Sequence, residues 1–71
     1  MQKKYVEIVK SWKVYEIKVD LGEKFPVYVS KVYNGKIDYV TDYLYSKKYK
    51  SLTAARKIAY MISAEKRIPV I

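Results

Sequence analysis

Val27-Tyr28-Val29-Ser30-Lys31-Val32-Tyr33-Asn34-Gly35-Lys36-Ile37-Asp38-Tyr39-Val40 is the stretch that decides the fold. Asn-Gly between two runs of β-formers is the strongest short-range hairpin signal, because both turn residues must take a positive φ that Asn and Gly tolerate. A two-residue turn sets the register. Tyr33 faces Lys36, Val32 faces Ile37, Lys31 faces Asp38, Ser30 faces Tyr39 and Val29 faces Val40. Side chains alternate between faces. One predicted face carries Phe25, Val27, Val29, Val40 and the Lys31/Asp38 pair, expected as a cross-strand ion pair. The other carries Tyr28, Ser30, Val32, Ile37, Tyr39 and Thr41. The first face suits a helix. The second, rich in hydroxyls, suits partial exposure, although Val32 and Ile37 would also serve a core. The two strands are expected over 25–33 and 36–43, with Pro26 where a missing donor does least harm.

Upstream, residues 4–20 are β-formers interleaved with Lys and Glu. Val6, Ile8, Trp12 and Val14 share one parity, while Tyr15, Ile17 and Val19 share the other. One unbroken strand cannot hold both sets on one face. A bulge or break is therefore expected near 13–15, or two strands, with a lead-in near 4–9 and a main strand near 12–20. Trp12 reads as core. Gly22 supplies the turn that follows.

Downstream, residues 46–50 form a basic loop and Ser51 is a good N-cap. Leu52, Ala55, Ile58, Ala59 and Ile62 recur at helical spacing and predict a helix over 52–66 with one buried stripe. Lys66 and Arg67 suit its C-terminus, and Pro69 ends it. Val70 and Ile71 either dock on the sheet edge or fray. The sum is one α+β domain over residues 1–71. It has a three-stranded antiparallel sheet, or four strands with an N-terminal addition, packed on one C-terminal helix. One helix covers one face, so the other is expected to take a ligand or a second copy of the chain, as a homodimer through the tyrosine-rich face.

Charge and composition narrow the function. Residues 46–71 carry +6 of the chain's +8. Such a field on a small domain points to a polyanionic partner. The chain has no cysteine and no histidine, which removes disulfides, thiolate metal sites and the commonest general base. The carboxylates are scattered among lysines, and no phosphate loop or zinc spacing occurs. A non-enzymatic chain without cofactor or metal is expected. No apolar run approaches the length of a membrane span, so a cytoplasmic protein without membrane contact is the expectation. The Lys/Tyr/Ile/Val bias resembles that of hyperthermophile proteomes, and a viral or archaeal source fits it.

Basic residues interleaved with aromatics are the candidate site. Lys47, Lys48 and Lys50 would contact phosphates, with Tyr49 on sugar or base. The alternative is a solvated loop. Arg56, Lys57 and Tyr60 lie within one turn on the outer helix face, against the alternative of a solvated face with an Arg56–Tyr60 contact. Tyr28 and Tyr39, with Lys31, would lie near a groove or stack on bases, or else pack in a core or interface.

The Tyr28…Val32-Tyr33-Asn34-Gly35-Lys36-Ile37 hairpin and the Leu52-Thr53-Ala54-Ala55-Arg56-Lys57-Ile58-Ala59 helix start resemble two families of sheet-plus-helix DNA-binding domains. These are the arm-binding domains of phage-type tyrosine integrases and plant ethylene-response factors. The resemblance implies that the uncovered sheet face enters the major groove through Tyr28, Ser30, Lys31, Tyr39 and Thr41. A second resemblance, carried by Lys31…Ile37 and Tyr45-Ser46-Lys47, is to YegP-like small domains, which implies no known chemistry. The expected function is binding of nucleic acid, duplex DNA before RNA, mainly through phosphates and with little sequence preference. A chromatin, regulatory or recombination accessory role would follow. The rival is a protein-interaction module, such as a small viral inhibitor, that contacts an acidic protein.

Overall fold

The computed structural model describes residues 3–71. Strands β1 (Tyr5–Ser11), β2 (Val14–Asp20), β3 (Val27–Tyr33) and β4 (Lys36–Val40) are followed by a 3-10 turn at Tyr43–Tyr45 and helix α1 (Leu52–Lys66). The strands form one antiparallel sheet in the order β1-β2-β3-β4. The α+β class with one C-terminal helix is as expected. The strand count is four, because residues 4–20 are two full strands. Their pairing runs from Tyr5↔Asp20 to Ser11↔Val14, so the phase change falls at Trp12-Lys13. Trp12 is thereby a turn residue at φ 58°, and it is not core.

Local signals explain the elements. Asn34 and Gly35 take φ 49° and 74°, as the hairpin demands. The Ser51 side chain accepts a hydrogen bond from the Ala54 N–H at 3.3 Å and caps α1. Ala55, Ala59 and Ile62 are fully buried. Two alanines in this stripe let α1 lie close on β1 and β2, the strands it contacts. They meet Val6, Ile17, Val19 and Val29 in the core.

The β3–β4 faces depart from the regular register. Pairing follows the expectation from Tyr33↔Lys36 to Lys31↔Asp38, then shifts so that Val29 pairs with Tyr39 and Tyr28 with Val40. Ser30 is the extra residue of a bulge, and its hydroxyl donates to the Asp38 carbonyl at 3.1 Å. The bulge puts Val29 and Val32, three apart, on one face. Val27, Val32, Ile37 and Tyr39 all pack against the core. Tyr39 therefore lies on the helix side, and Val40 and Phe25 do not.

The basic loop is a structural strap. β2 and β3 pair only at Lys18↔Tyr28 and Val19↔Val27, then diverge. Residues 47–49 fill the gap. The Lys47 N–H donates to the Val29 carbonyl at 2.7 Å, and Tyr15 and Tyr49 exchange backbone hydrogen bonds at 2.7 and 2.8 Å. Alternation sends Tyr49 into the core at 8% exposure. Lys48 goes to the other face, where its ammonium donates to Glu16 Oε1 (2.6 Å), Ser46 Oγ (2.7 Å) and the Tyr43 carbonyl (2.9 Å). All three donors of a lysine are thus used. The C-terminal segment closes the opposite edge. Val70 bridges Val6 in parallel, with Val6 N–H to Pro69 O at 2.8 Å and Ile71 N–H to Val6 O at 2.9 Å.

Two stability predictions follow from the strap. Lys48→Ala strands a buried carboxylate, so it should cost about 2 kcal/mol, reduced from the fully buried case by the partial exposure of the lysine. At several degrees per kcal/mol this lowers Tm by about 10 °C, whereas Lys50→Ala and Lys57→Ala should stay within about 0.5 kcal/mol; thermal melts of the three variants make the check. The Tyr49 hydroxyl is buried with no hydrogen-bond partner among the described residues, so Tyr49→Phe should stabilise by about 1 kcal/mol. Burial pushes that hydroxyl's pKa above 10.0. The folded chain then holds the proton more tightly than the unfolded chain. This contribution is complete below pH ~10 and is lost as pH rises through the folded value. Melts from pH 9 to 11 should show wild type losing more stability than Tyr49→Phe.

Candidate functional site

A four-stranded meander places its first and third turns at the same end of the sheet. Here these are Trp12-Lys13 and Asn34-Gly35. The strap runs antiparallel to β2 past Tyr15, so Lys50, Ser51 and the start of α1 arrive at that end too. Residues 10–15, 31–37 and 47–57 contain no acid and nine of the fifteen cations. All seven carboxylates lie outside these segments. Glu16 is held by Lys48. Asp20 and Asp42 accept the Gly22 and Leu44 N–H groups, both in local turns.

Trp12 stands at the tip of the first hairpin with 87% of its surface exposed. Its φ of 58° is a left-handed conformation that costs a non-glycine residue roughly 1–2 kcal/mol. An apolar side chain in water on an unfavourable backbone gains nothing from folding. Lys10, Lys13 and Lys50 share this end. On the second tip Tyr33 is half-exposed, with the Lys31 ammonium 5.0 Å from its ring centroid.

The structure distributes the nine residues expected as a site over the hairpin-tip end, the two clefts and the core. Lys50 and Lys57 are exposed, and Lys47 is exposed with its ammonium 5.5 Å from the Tyr49 ring centroid. Lys48 is committed to Glu16. Tyr49 is in the core and cannot pack on sugar or base. Tyr39 lies beneath the helix end, where the Lys66 ammonium sits 5.4 Å from its ring centroid. Burial, and after it the Glu65 carboxylate, push the Tyr39 hydroxyl above the ordinary tyrosine range. Lys31 is opposite Asp38, but the pair makes no ion contact within the described residues, where Lys48–Glu16 is the salt bridge. Arg56 faces a cleft beside β1, with Lys10, Tyr15, Leu52 and Tyr60, while Lys57 is one residue, or about 100°, around the helix.

Tyr28 is on the sheet face away from α1, and there it packs edge-on against Tyr43 at 6.4 Å. The two line a cleft of about 460 Å³ with Phe25, Pro26, Thr41 and Asp42. Phe25, Tyr43, Leu44 and Tyr45 are exposed around it. This aromatic end is opposite the hairpin tips. No group of three or more potential metal-ligating side chains occurs among the described residues, and no helix there is long and apolar enough to cross a membrane.

Sequence reasoning did not place Lys10, Trp12, Lys13, Tyr33 and Lys36 together at this end. The signal for Trp12 was available: residues 5–11 and 14–20 are equal-length alternating runs that leave Trp12-Lys13 between them. No family model, curated protein or solved structure matches the chain.

Trp12 has no packing role, so Trp12→Gly should leave Tm unchanged or raise it by a few degrees through relief of the left-handed backbone. A melt that drops by more than about 5 °C, roughly 1 kcal/mol in a domain this size, would show that the indole is structural.

Proposed function

We propose that the chain binds nucleic acid through the end formed by its two hairpin tips and the start of α1. The observation that carries this reading is the convergence there of acid-free, lysine-rich segments around an exposed Trp12. Lys10, Lys13, Lys31, Lys36 and Lys50 supply the phosphate contacts, and Lys47 and Lys57 extend the field. Trp12, with Tyr33 beside it, supplies aromatic faces on which bases or sugars stack. Lysine is a point-charge donor to phosphate, and of the nine cations in these segments eight are lysines, Arg56 being turned toward the cleft beside β1. Duplex DNA held through its backbone with little sequence preference is therefore the favoured ligand. Use of the sheet face as the groove reader, as in integrase arm-binding and ethylene-response-factor domains, is not favoured, because Tyr39 faces the helix. An accessory role in chromatin, regulation or recombination is compatible with such binding.

A protein-interaction module is the second reading. It is favoured by the exposed Phe25, Tyr43, Leu44 and Tyr45 around the Tyr28 cleft, since exposed aromatic clusters mark partner surfaces.

Trp12 is the single tryptophan, so its fluorescence reports on the proposed interface directly. Titration with a mixed-sequence duplex and its matching single strand should quench it at 50 mM salt. Five phosphate contacts imply about a 500-fold loss of duplex affinity on going to 200 mM. Trp12→Gly, followed by anisotropy of labelled DNA, should weaken binding without changing that salt slope. If neither strand form binds at 50 mM salt, the nucleic-acid reading fails and the aromatic cleft becomes the surface to pursue.

A further inference from the structure

The aromatic cleft, at the end remote from the hairpin tips, has a lining unlike the rest of the surface. Phe25, Tyr28 and Tyr43 give it three rings, Pro26 and Thr41 complete the walls, and Asp42 is its one charged lining residue. Among the described residues, no lysine or arginine lines it, on a chain with fifteen of them. Lys18, paired across the ladder with Tyr28, stays outside the lining, as does Lys24, whose ammonium is 5.5 Å from the Phe25 ring centroid. Lys48 reaches the Tyr43 carbonyl but is paired with Glu16. Around the cleft, residues 20–28 and 39–46 carry three acids and one cation, the reverse of the chain's balance.

The walls are fixed by the fold itself. Tyr28 sits in the β3 ladder opposite Val40. Three donors converge on the Tyr43 carbonyl: the Ser46 N–H at 3.1 Å, the Ser46 hydroxyl at 2.7 Å and the Lys48 ammonium at 2.9 Å. The two tyrosine rings meet at 62° with centroids 6.4 Å apart, so they form adjoining walls and not a stack. Asp42 Oδ1 accepts the Leu44 N–H at 2.9 Å, which orients the carboxylate, and Oδ2 accepts no hydrogen bond among the described residues. Binding here costs little ordering of the site.

Ring faces carry negative potential and attract cations, and a carboxylate beside them adds to that attraction. An unmodified lysine ammonium is strongly hydrated and brings three N–H donors, more than this mainly apolar lining can satisfy. A trimethylammonium has no N–H and presents methyl groups, so it gains from the rings and gives up little hydration. The cleft, about 460 Å³, is open to solvent, and exposed Leu44 and Tyr45 continue the surface beyond it. That suits an ammonium carried on a larger molecule. We infer that this cleft binds a trimethylated lysine of a partner protein, with Phe25, Tyr28 and Tyr43 around the ammonium and Asp42 balancing its charge. The inference rests on the reading of the cleft as a partner surface and does not depend on nucleic-acid binding at the hairpin tips.

The test uses a capped peptide, Leu-Thr-Lys-Thr-Leu, with its lysine trimethylated, and NMR titration of the whole chain. The controls are the unmethylated peptide, the same peptide with carbon in place of the quaternary nitrogen, and choline. The trimethylated peptide should shift the amides of Tyr28, Thr41, Asp42 and Tyr43, and bind about tenfold more tightly than either control peptide. Choline, which lacks the peptide contacts, should bind more weakly still. Phe25 is 63% exposed, so Phe25→Leu should keep the melt within a few degrees and weaken the trimethylated peptide about tenfold. Asp42→Asn keeps the acceptor for the Leu44 N–H and should weaken it about threefold. Trp12→Gly should leave peptide binding intact, which separates this site from the proposed nucleic-acid surface. Equal binding of the trimethylated and unmethylated peptides would overturn the inference and leave the cleft a partner surface of another kind. Equal binding of the carbon isostere would overturn it too, because apolar contact alone would then explain the affinity. So would choline binding as tightly as the peptide, since a free solute would own the cleft, or no shift at the cleft with any probe at millimolar concentration.

Discussion

The contact between Lys48 and Glu16 holds the two halves of this sheet together. β2 and β3 share a ladder of two residue pairs, too short to fix their relation. The strap of residues 46–50 supplies what is missing, and Lys48 locks it. Its ammonium reaches Glu16 on β2 while also binding the Tyr43 carbonyl and Ser46 hydroxyl of the preceding turn. Glu16 is 5% exposed, and a carboxylate so placed is tolerated only with a partner. The same alternation that delivers Lys48 to one face delivers Tyr49 to the other, where it joins the core beneath α1. Ion pair, strap and core are therefore one arrangement.

Fifteen cations and seven acids leave most lysines without a carboxylate. The chain meets this with aromatic rings. Lys24, Lys31, Lys47 and Lys66 each lie 5.0–5.5 Å from a ring centroid, on Phe25, Tyr33, Tyr49 and Tyr39. Such contacts cover apolar area with the lysine stem while the charged head stays solvated. The abundance of tyrosine thus serves the abundance of lysine, and the surplus positive field remains available at the surface.

The parts of this structure that were readable from sequence are those with local causes. Asn34-Gly35, the Ser51 cap and the Leu52/Ala55/Ile58/Ala59/Ile62 stripe each fix their own geometry within a few residues. The Ser30 bulge left no mark, because it uses neither glycine nor proline. It nonetheless inverts the face of Tyr39. The turn at Trp12 was obscured for a related reason: its residues are not turn formers, and an aromatic in a β-rich stretch reads as core. The role of the strap depends on a partner more than thirty residues away. Lys47-Lys48-Tyr49-Lys50 has the composition of a solvated loop, and only the tyrosine between lysines hinted at alternation. As for the candidate site, its charge was legible and its location was not. The C-terminal half did carry the excess, but the convergence with Lys10, Lys13, Lys31 and Lys36 is a product of meander topology.

The two-pair ladder between β2 and β3 has a mechanical meaning. Each hairpin is internally stiff, with five or more paired positions, and the two are joined at the end remote from their tips. The assembly is a pair of calipers. Its jaws are the Trp12 and Asn34 turns, its pivot is the short ladder, and its stop is the thickness of one extended segment. The distance between the jaws is set by the inserted strap, tied to both arms by backbone hydrogen bonds, more than by the sheet itself.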